Sequence, residues 1–153
     1  MKKNLIFIGI VLLLLTTPTP AQQSHIHPYN KILMRLYPRP FKFKYPEVPR
    51  ILAREALLLY RTGKAFFIGC GASTNPILGG LYFINCMKIN PKQLKAIIPK
   101  NKMLIVYWAW NDEGHSARVA HFWMKKGIKN IRVVFGGDAE MKKVGFKFLK
   151  FKK

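Results

Sequence analysis

Leu104-Ile105-Val106-Tyr107-Trp108-Ala109-Trp110-Asn111-Asp112-Glu113-Gly114-His115-Ser116-Ala117-Arg118-Val119-Ala120 is the stretch on which the fold turns. Its first residues continue an apolar run that opens at Met103, and a run without polar alternation belongs to a strand buried on both faces. A polar loop follows. From Ser116 to Lys126 the apolar residues return at helical spacing, and Gly127 supplies the stop signal. Working outward, the same alternation repeats. Arg54 to Arg61 reads as a helix stopped by Gly63, and Ala65 to Ile68 as a strand ended by Gly69-Cys70-Gly71. Leu81 to Ile84 is another strand, ended by Asn85-Cys86, and Pro91 to Ile98 is a short helix with Pro at its start. Ile131 to Phe135 is the last strand, followed by Gly136-Gly137, which reads as close backbone packing. Strands that alternate with helices predict an α/β fold: a single domain with a small parallel sheet and helices on both faces. In such sheets the chemistry sits beyond the carboxyl ends of the strands.

The chain has 153 residues, 27 Lys and Arg against 6 Asp and Glu, and a formal charge of +21. This length excludes a large multidomain enzyme. Half of the residues are hydrophobic, so the charge does not signal a disordered chain. A field of this sign draws polyanions, and it equally keeps a small exported protein soluble. The partner expected on these grounds is a protein or an anionic body, with weak attraction to an anionic membrane surface or polymer and no specific nucleic acid.

Lys2-Lys3, the apolar run Leu5 to Leu15 and Thr16-Thr17-Pro18-Thr19-Pro20-Ala21 have the three-part layout of a secretory signal. The run is shorter than the roughly 20 residues of a spanning helix. Residues 1–21 are therefore expected to be a signal peptide cleaved after Ala21, with periplasmic or secreted destination; an uncleaved N-terminal anchor is the alternative. Residues 22–47 carry Pro28, Pro38, Pro40 and Pro46 and read as an extended arm, in which Phe41-Lys42-Phe43-Lys44-Tyr45 alternates aromatic with basic residues. His25 and His27 lack a third metal ligand, so neither a metal nor another cofactor is expected. Met141 to Lys153 holds six lysines and three phenylalanines and reads as a closing strand running into a basic tail at 149–153. Its lysines also suit an anionic lipid surface.

Leu104-Ile105-Val106-Tyr107, then Glu113, Ser116-Ala117-Arg118-Val119-Ala120, Gly127, Asn130-Ile131-Arg132-Val133, Gly136-Gly137 and Gly145-Phe146 together resemble the C-terminal half of a rhodanese-like domain. Upstream, Glu55-Ala56-Leu57, Tyr60 and Gly63-Lys64-Ala65 look like the family's opening helix and strand, and Ile77-Leu78-Gly79-Gly80 like one of its turns. The likeness covers about residues 48–148. It rests on order and spacing, since no single piece is diagnostic.

The resemblance implies a site loop after the strand ending at Tyr107, where active members carry a cysteine whose thiolate and persulfide are favoured by backbone amides and a helix N-terminus. That position is Trp108, and in the longer loop variant the second cysteine position is Trp110. Gly69 stands where the family usually has an Asp. A degenerate, catalytically inactive site is thus expected over Trp108, Ala109, Trp110, Asn111, Asp112, Glu113, Gly114, His115 and Ser116, with Ser116 or a loop acid capping the helix. Asp112 and Glu113 would repel an anionic donor unless neighbouring cations outweigh them. In the family's arrangement Cys70 and Cys86 would lie at the same sheet edge as this loop. A disulfide closing a loop of about 15 residues would contribute about 3 kcal/mol. A displaced reactive thiol at Cys70, flanked by Gly69 and Gly71, is the alternative, and would make the chain a sulfur-transfer or redox protein.

Overall fold

The computed structural model describes residues 26–36, 44–109 and 113–150. A parallel sheet of five strands runs through the domain: β1 (Arg50–Ile51), β2 (Ala65–Cys70), β3 (Leu81–Phe83), β4 (Met103–Trp108) and β5 (Ile131–Val134), in the spatial order β1-β5-β4-β2-β3. The helices are α1 (Pro28–Leu36), α2 (Ala53–Arg61), α3 (Pro91–Ile97), α4 (Gly114–Lys125) and α5 (Gly137–Lys143), with a 3-10 turn at Cys86–Lys88. The α/β architecture read from the sequence is the one observed.

β2 and β4 occupy the middle of the sheet because their residues are apolar on both sides. On one face Ile68, Cys70, Leu104 and Val106 pack with Val119, Ala120 and Trp123 of α4 and Leu94 of α3. On the other, Phe67, Ile105 and Tyr107 pack with Ala53 and Ala56 of α2 and Met141 of α5. α4 presents Ser116, Ala117, Val119, Ala120 and Trp123 inward, a spacing of three and four that makes one helical stripe. α3 begins with Asn90, whose side-chain oxygen accepts from Lys92 N, and with Pro91 at its first position.

Two segments differ from the expectation. The arm is not extended throughout, because Pro28 to Leu36 forms α1. Pro28 sits in the first turn, where a missing N–H is harmless, and no further proline falls inside the helix. Leu33 is buried, and the amide of Asn30, buried too, binds three backbone groups: it donates to Pro46 O and Val48 O, and accepts from Arg50 N. Tertiary contacts therefore stabilise a short helix of which only Asn30 and Leu33 are buried. Of the aromatic-basic stretch, Phe41, Lys42 and Phe43 lie outside the described residues, as do residues 1–25 with the signal layout and His25.

The expected closing strand begins instead as α5. Gly136 adopts a left-handed conformation at φ 75° to start it, Asp138 and Glu140 lie in its first turn and Lys142 and Lys143 in its last, the charge order that the helix dipole favours. After Gly145 the chain makes one antiparallel bridge, Phe148 to Ile77. Phe146 is buried in the core and Phe148 packs against it, so the aromatic residues cover the core without a strand.

Candidate functional site

The carboxyl ends of β3, β2 and β4 form a row. Cys70 pairs in register with Phe83 on one side and with Trp108 on the other. Alternation along the strands puts Cys70 and Trp108 on the α4 face, and Gly69 and Tyr107 on the opposite face. Cys70 and Cys86 are joined by a disulfide, and both are buried. The chain has two cysteines, so this bridge uses its whole complement of thiols.

Gly71 follows Cys70 at φ +95° and donates its N–H to Phe83 O. A Cβ placed on Gly71 would lie 1.7 Å from the Trp108 indole. The indole thus lies against bare backbone, and the imidazole of His115 covers it, with ring centroids 3.8 Å apart. Desolvation lowers the pKa of His115 below its usual value, and the nearby charge of Arg118 lowers it further. A neutral imidazole against an indole, here tilted by 39°, is an aromatic pair that contributes beyond its buried area.

Thr74 links the strand ends to the loop. Its hydroxyl donates to Cys70 O at 2.5 Å and accepts from Ala109 N at 3.1 Å. On the other face, the Tyr107 hydroxyl donates to Asn75 O and accepts from Ile77 N, at 3.0 and 3.1 Å. Burial pushes the Tyr107 phenol well above the usual tyrosine range. That phenol explains the glycine at 69, since a Cβ there would lie 2.8 Å from the Tyr107 hydroxyl. The space a side chain at 69 would need is filled from β4.

Glu113 precedes α4 but does not cap it through its side chain. Its carboxylate turns inward: one oxygen accepts from Gly136 N at 3.3 Å and the other lies 3.8 Å from Arg50 Nε. Arg50 is fully buried and also donates to the carbonyls of Lys44, Tyr45 and Val48. Of the residues expected to cap α4, Glu113 makes no side-chain cap, and Asp112 lies outside the described residues. Ser116 donates to Glu113 O, a backbone contact that closes the first turn, and Ala117 N donates to the same oxygen. The Glu113 charge that would repel an anion is turned away from solvent and matched by Arg50. Trp110, Asn111 and Asp112 lie outside the described residues.

The sequence does not single out Arg50, Thr74 or Asn30, and marks Tyr107 only as the end of its strand. Arg50 had a signal: a cation between Pro49 and the apolar pair Ile51-Leu52, where a surface strand would have no reason to start. Thr74 and Asn30 had none, because a single short polar residue is ordinary in a turn or a helix. Among the described residues, no group of three His, Cys, Asp or Glu side chains converges to hold a metal.

The fold is that of rhodanese-like domains. The solution structure of the rhodanese-like domain of the Anabaena sp. protein Alr3790 superposes with a TM-score of 0.54 at 16% identity, covering 67% of this chain and 80% of that one. The crystal structure of Alr3790 gives 0.55 at 13% identity, covering 66% and 82%. The BH2092 protein of Bacillus halodurans gives 0.54 at 14% identity, covering 79% and 82%. No protein-family model matches the sequence, and no curated protein matches it. At these identities the likeness is one of fold.

Proposed function

We propose that this chain is an exported rhodanese-like module that carries no sulfane sulfur and acts by binding a protein or anionic partner. One observation carries the reading: the Trp108 indole ends β4, opposite Cys70 in register and against the backbone of Gly71. By its resemblance to active members this is where a cysteine would hold sulfur, and an indole has no atom for that role. Losing the nucleophile of a covalent machine costs on the order of a millionfold in rate. Export is supported by the N-terminal layout and by a buried disulfide, a bond that persists in oxidising compartments. The tilted aromatic pair Trp108 and His115 is the first surface at which a partner would be met.

The test is thiosulfate:cyanide sulfurtransfer by the full chain. Thiocyanate formation at the buffer rate is expected, and formation that persists when Cys70 and Cys86 are both alanine overturns the reading.

A second reading has one observation in its favour. Cys70 is the register neighbour of Trp108, so a reduced Cys70 would stand one strand away from the family's sulfur position and could handle sulfur or redox equivalents with Cys86 resolving. Burial of both sulfurs weighs against it, because reactive thiols are partly exposed. Resistance of the bridge to mild reductant in the native fold would exclude this reading.

A further inference from the structure

α1 turns part of its apolar surface to solvent. Leu33 and Asn30 face inward, and the backbone bonds of Asn30 fix the helix against the segment from Pro46 to Arg50. On the exposed side two rows run next to one another, each joining residues four apart: Lys31 with Arg35, and Ile32 with Leu36. Ile32 is 52% exposed and Leu36 63%, and Met34, 44% exposed, flanks the cations. A helix that meets only the domain beneath it carries polar residues on its outer side. Here two aliphatic side chains stand there instead.

The charge around them has one sign. The first acid of the sequence is Glu47, and after α1 the chain runs on through Arg39, Lys42 and Lys44 with Tyr37, Phe41 and Phe43 between them. Among the described residues the side-chain carboxylates are engaged elsewhere: Glu47 with His121, Glu113 with Arg50, Asp138 with Lys142 and Glu140 with Lys143. Glu55 touches α1, but through the Tyr29 hydroxyl, on the side of the helix away from Lys31. No carboxylate among them lies within ion-pair distance of Lys31 or Arg35.

Three kinds of partner would meet this face differently. A second copy of the chain would set the same cations against these. A soluble polyanion would take Lys31 and Arg35 and leave Ile32 and Leu36 in water. An anionic bilayer surface accepts both rows, the cations at its head groups and the aliphatic pair at the acyl boundary.

We infer that α1 lies on an anionic lipid surface, with Ile32 and Leu36 entering it and Lys31 and Arg35 at its head groups. This gives the anionic partner of the proposed module a kind and a place, and rests on that reading for nothing else. Asn30 and Leu33 already hold the helix, so little ordering is left to binding.

The experiment is co-sedimentation of the full chain with vesicles of phosphatidylglycerol. Vesicles of phosphatidylcholine are the reference for the N-terminal apolar run, whose contribution every variant shares. Tighter binding to phosphatidylglycerol is expected. Lys31→Gln with Arg35→Gln weakens it by about fivefold for each cation removed, and Ile32→Gln with Leu36→Gln by about tenfold together. All four positions are exposed, so the variants keep the fold, and an unchanged urea midpoint verifies this. Lys92→Gln with Lys95→Gln, which removes two exposed cations of α3, shifts binding less than about twofold, because screening confines each charge to its surroundings. Equal binding to the two lipids overturns the inference. An equal loss with the α3 pair overturns it too, by revealing a diffuse field, as does binding that survives Ile32→Gln with Leu36→Gln, which leaves a charge contact that any polyanion could make. Thiocyanate formation by the chain would remove the module reading and leave the vesicle result standing.

Discussion

Gly71 and Trp108 are complementary: the glycine lacks the one atom that would collide with the indole, at 1.7 Å. The contact joins the turn after β2 to the end of β4 on the face that holds the disulfide. In the proposed reading the indole also fills the position that a sulfur carrier would need, so there packing and chemistry would exclude one another.

Gly71→Ala should cost about 3 kcal/mol, since it combines a collision with a positive φ. In a Trp108→Ala background the collision is gone and about 1 kcal/mol of backbone strain should remain. A double-mutant cycle by urea denaturation reads the difference. Equal costs in the two backgrounds would contradict the contact.

Tyr107→Phe removes a hydroxyl that serves Ile77 N and Asn75 O in a buried setting. Leaving those groups unpaired should cost about 2 kcal/mol. The denaturation midpoint measures it. A neutral outcome would mean that water replaces the phenol.

How much of this was legible beforehand varies with the physics of each element. β2, β3 and β4 declare themselves by apolar runs and β5 by a run broken at Arg132, and α2, α3 and α4 by spacing and by Gly or Pro at their ends. β1 has two residues and no pattern of its own; it exists because β5 offers an edge. α1 exists because Asn30 satisfies three backbone groups and Leu33 finds the core, neither of which a sequence displays. At the site, Trp108 was visible by position alone, whereas the pairing of Glu113 with Arg50 joins residues more than sixty apart. Gly69 was visible as a departure, but its reason, the Tyr107 phenol, lies on another strand.

Glu113→Gln should destabilise by about 3 kcal/mol, because it leaves the buried Arg50 charge without its counter-charge. Arg50→Met together with Glu113→Gln should recover part of that loss. A pair of variants that simply add would show that the two charges do not interact.

The pKa of His115 is lowered in the folded chain, so between its folded value and the ordinary 6.5 the unfolded state binds more protons. Its contribution is complete above 6.5 and is lost as pH falls toward the folded value. Thermal midpoints from pH 8 to pH 5 should therefore fall more steeply in the native chain than in His115→Gln. Parallel profiles would place the proton elsewhere.

Reduction of Cys70–Cys86, or Cys70→Ser with Cys86→Ser, should lower stability by about 3 kcal/mol in the loop-entropy model, the bridge spanning 16 residues. Urea midpoints with and without reductant measure this. A stability unchanged by reduction would mean that the strand ends are held by Thr74 and the Trp108 packing alone.

The central claim is that this domain holds no sulfane sulfur, and intact mass of the native full chain after incubation with thiosulfate tests it most directly. The account predicts an unchanged mass with both cysteines protected from alkylation. A gain of one sulfur atom, located on Cys70 or Cys86, would contradict it and make this a sulfur carrier with a relocated thiol.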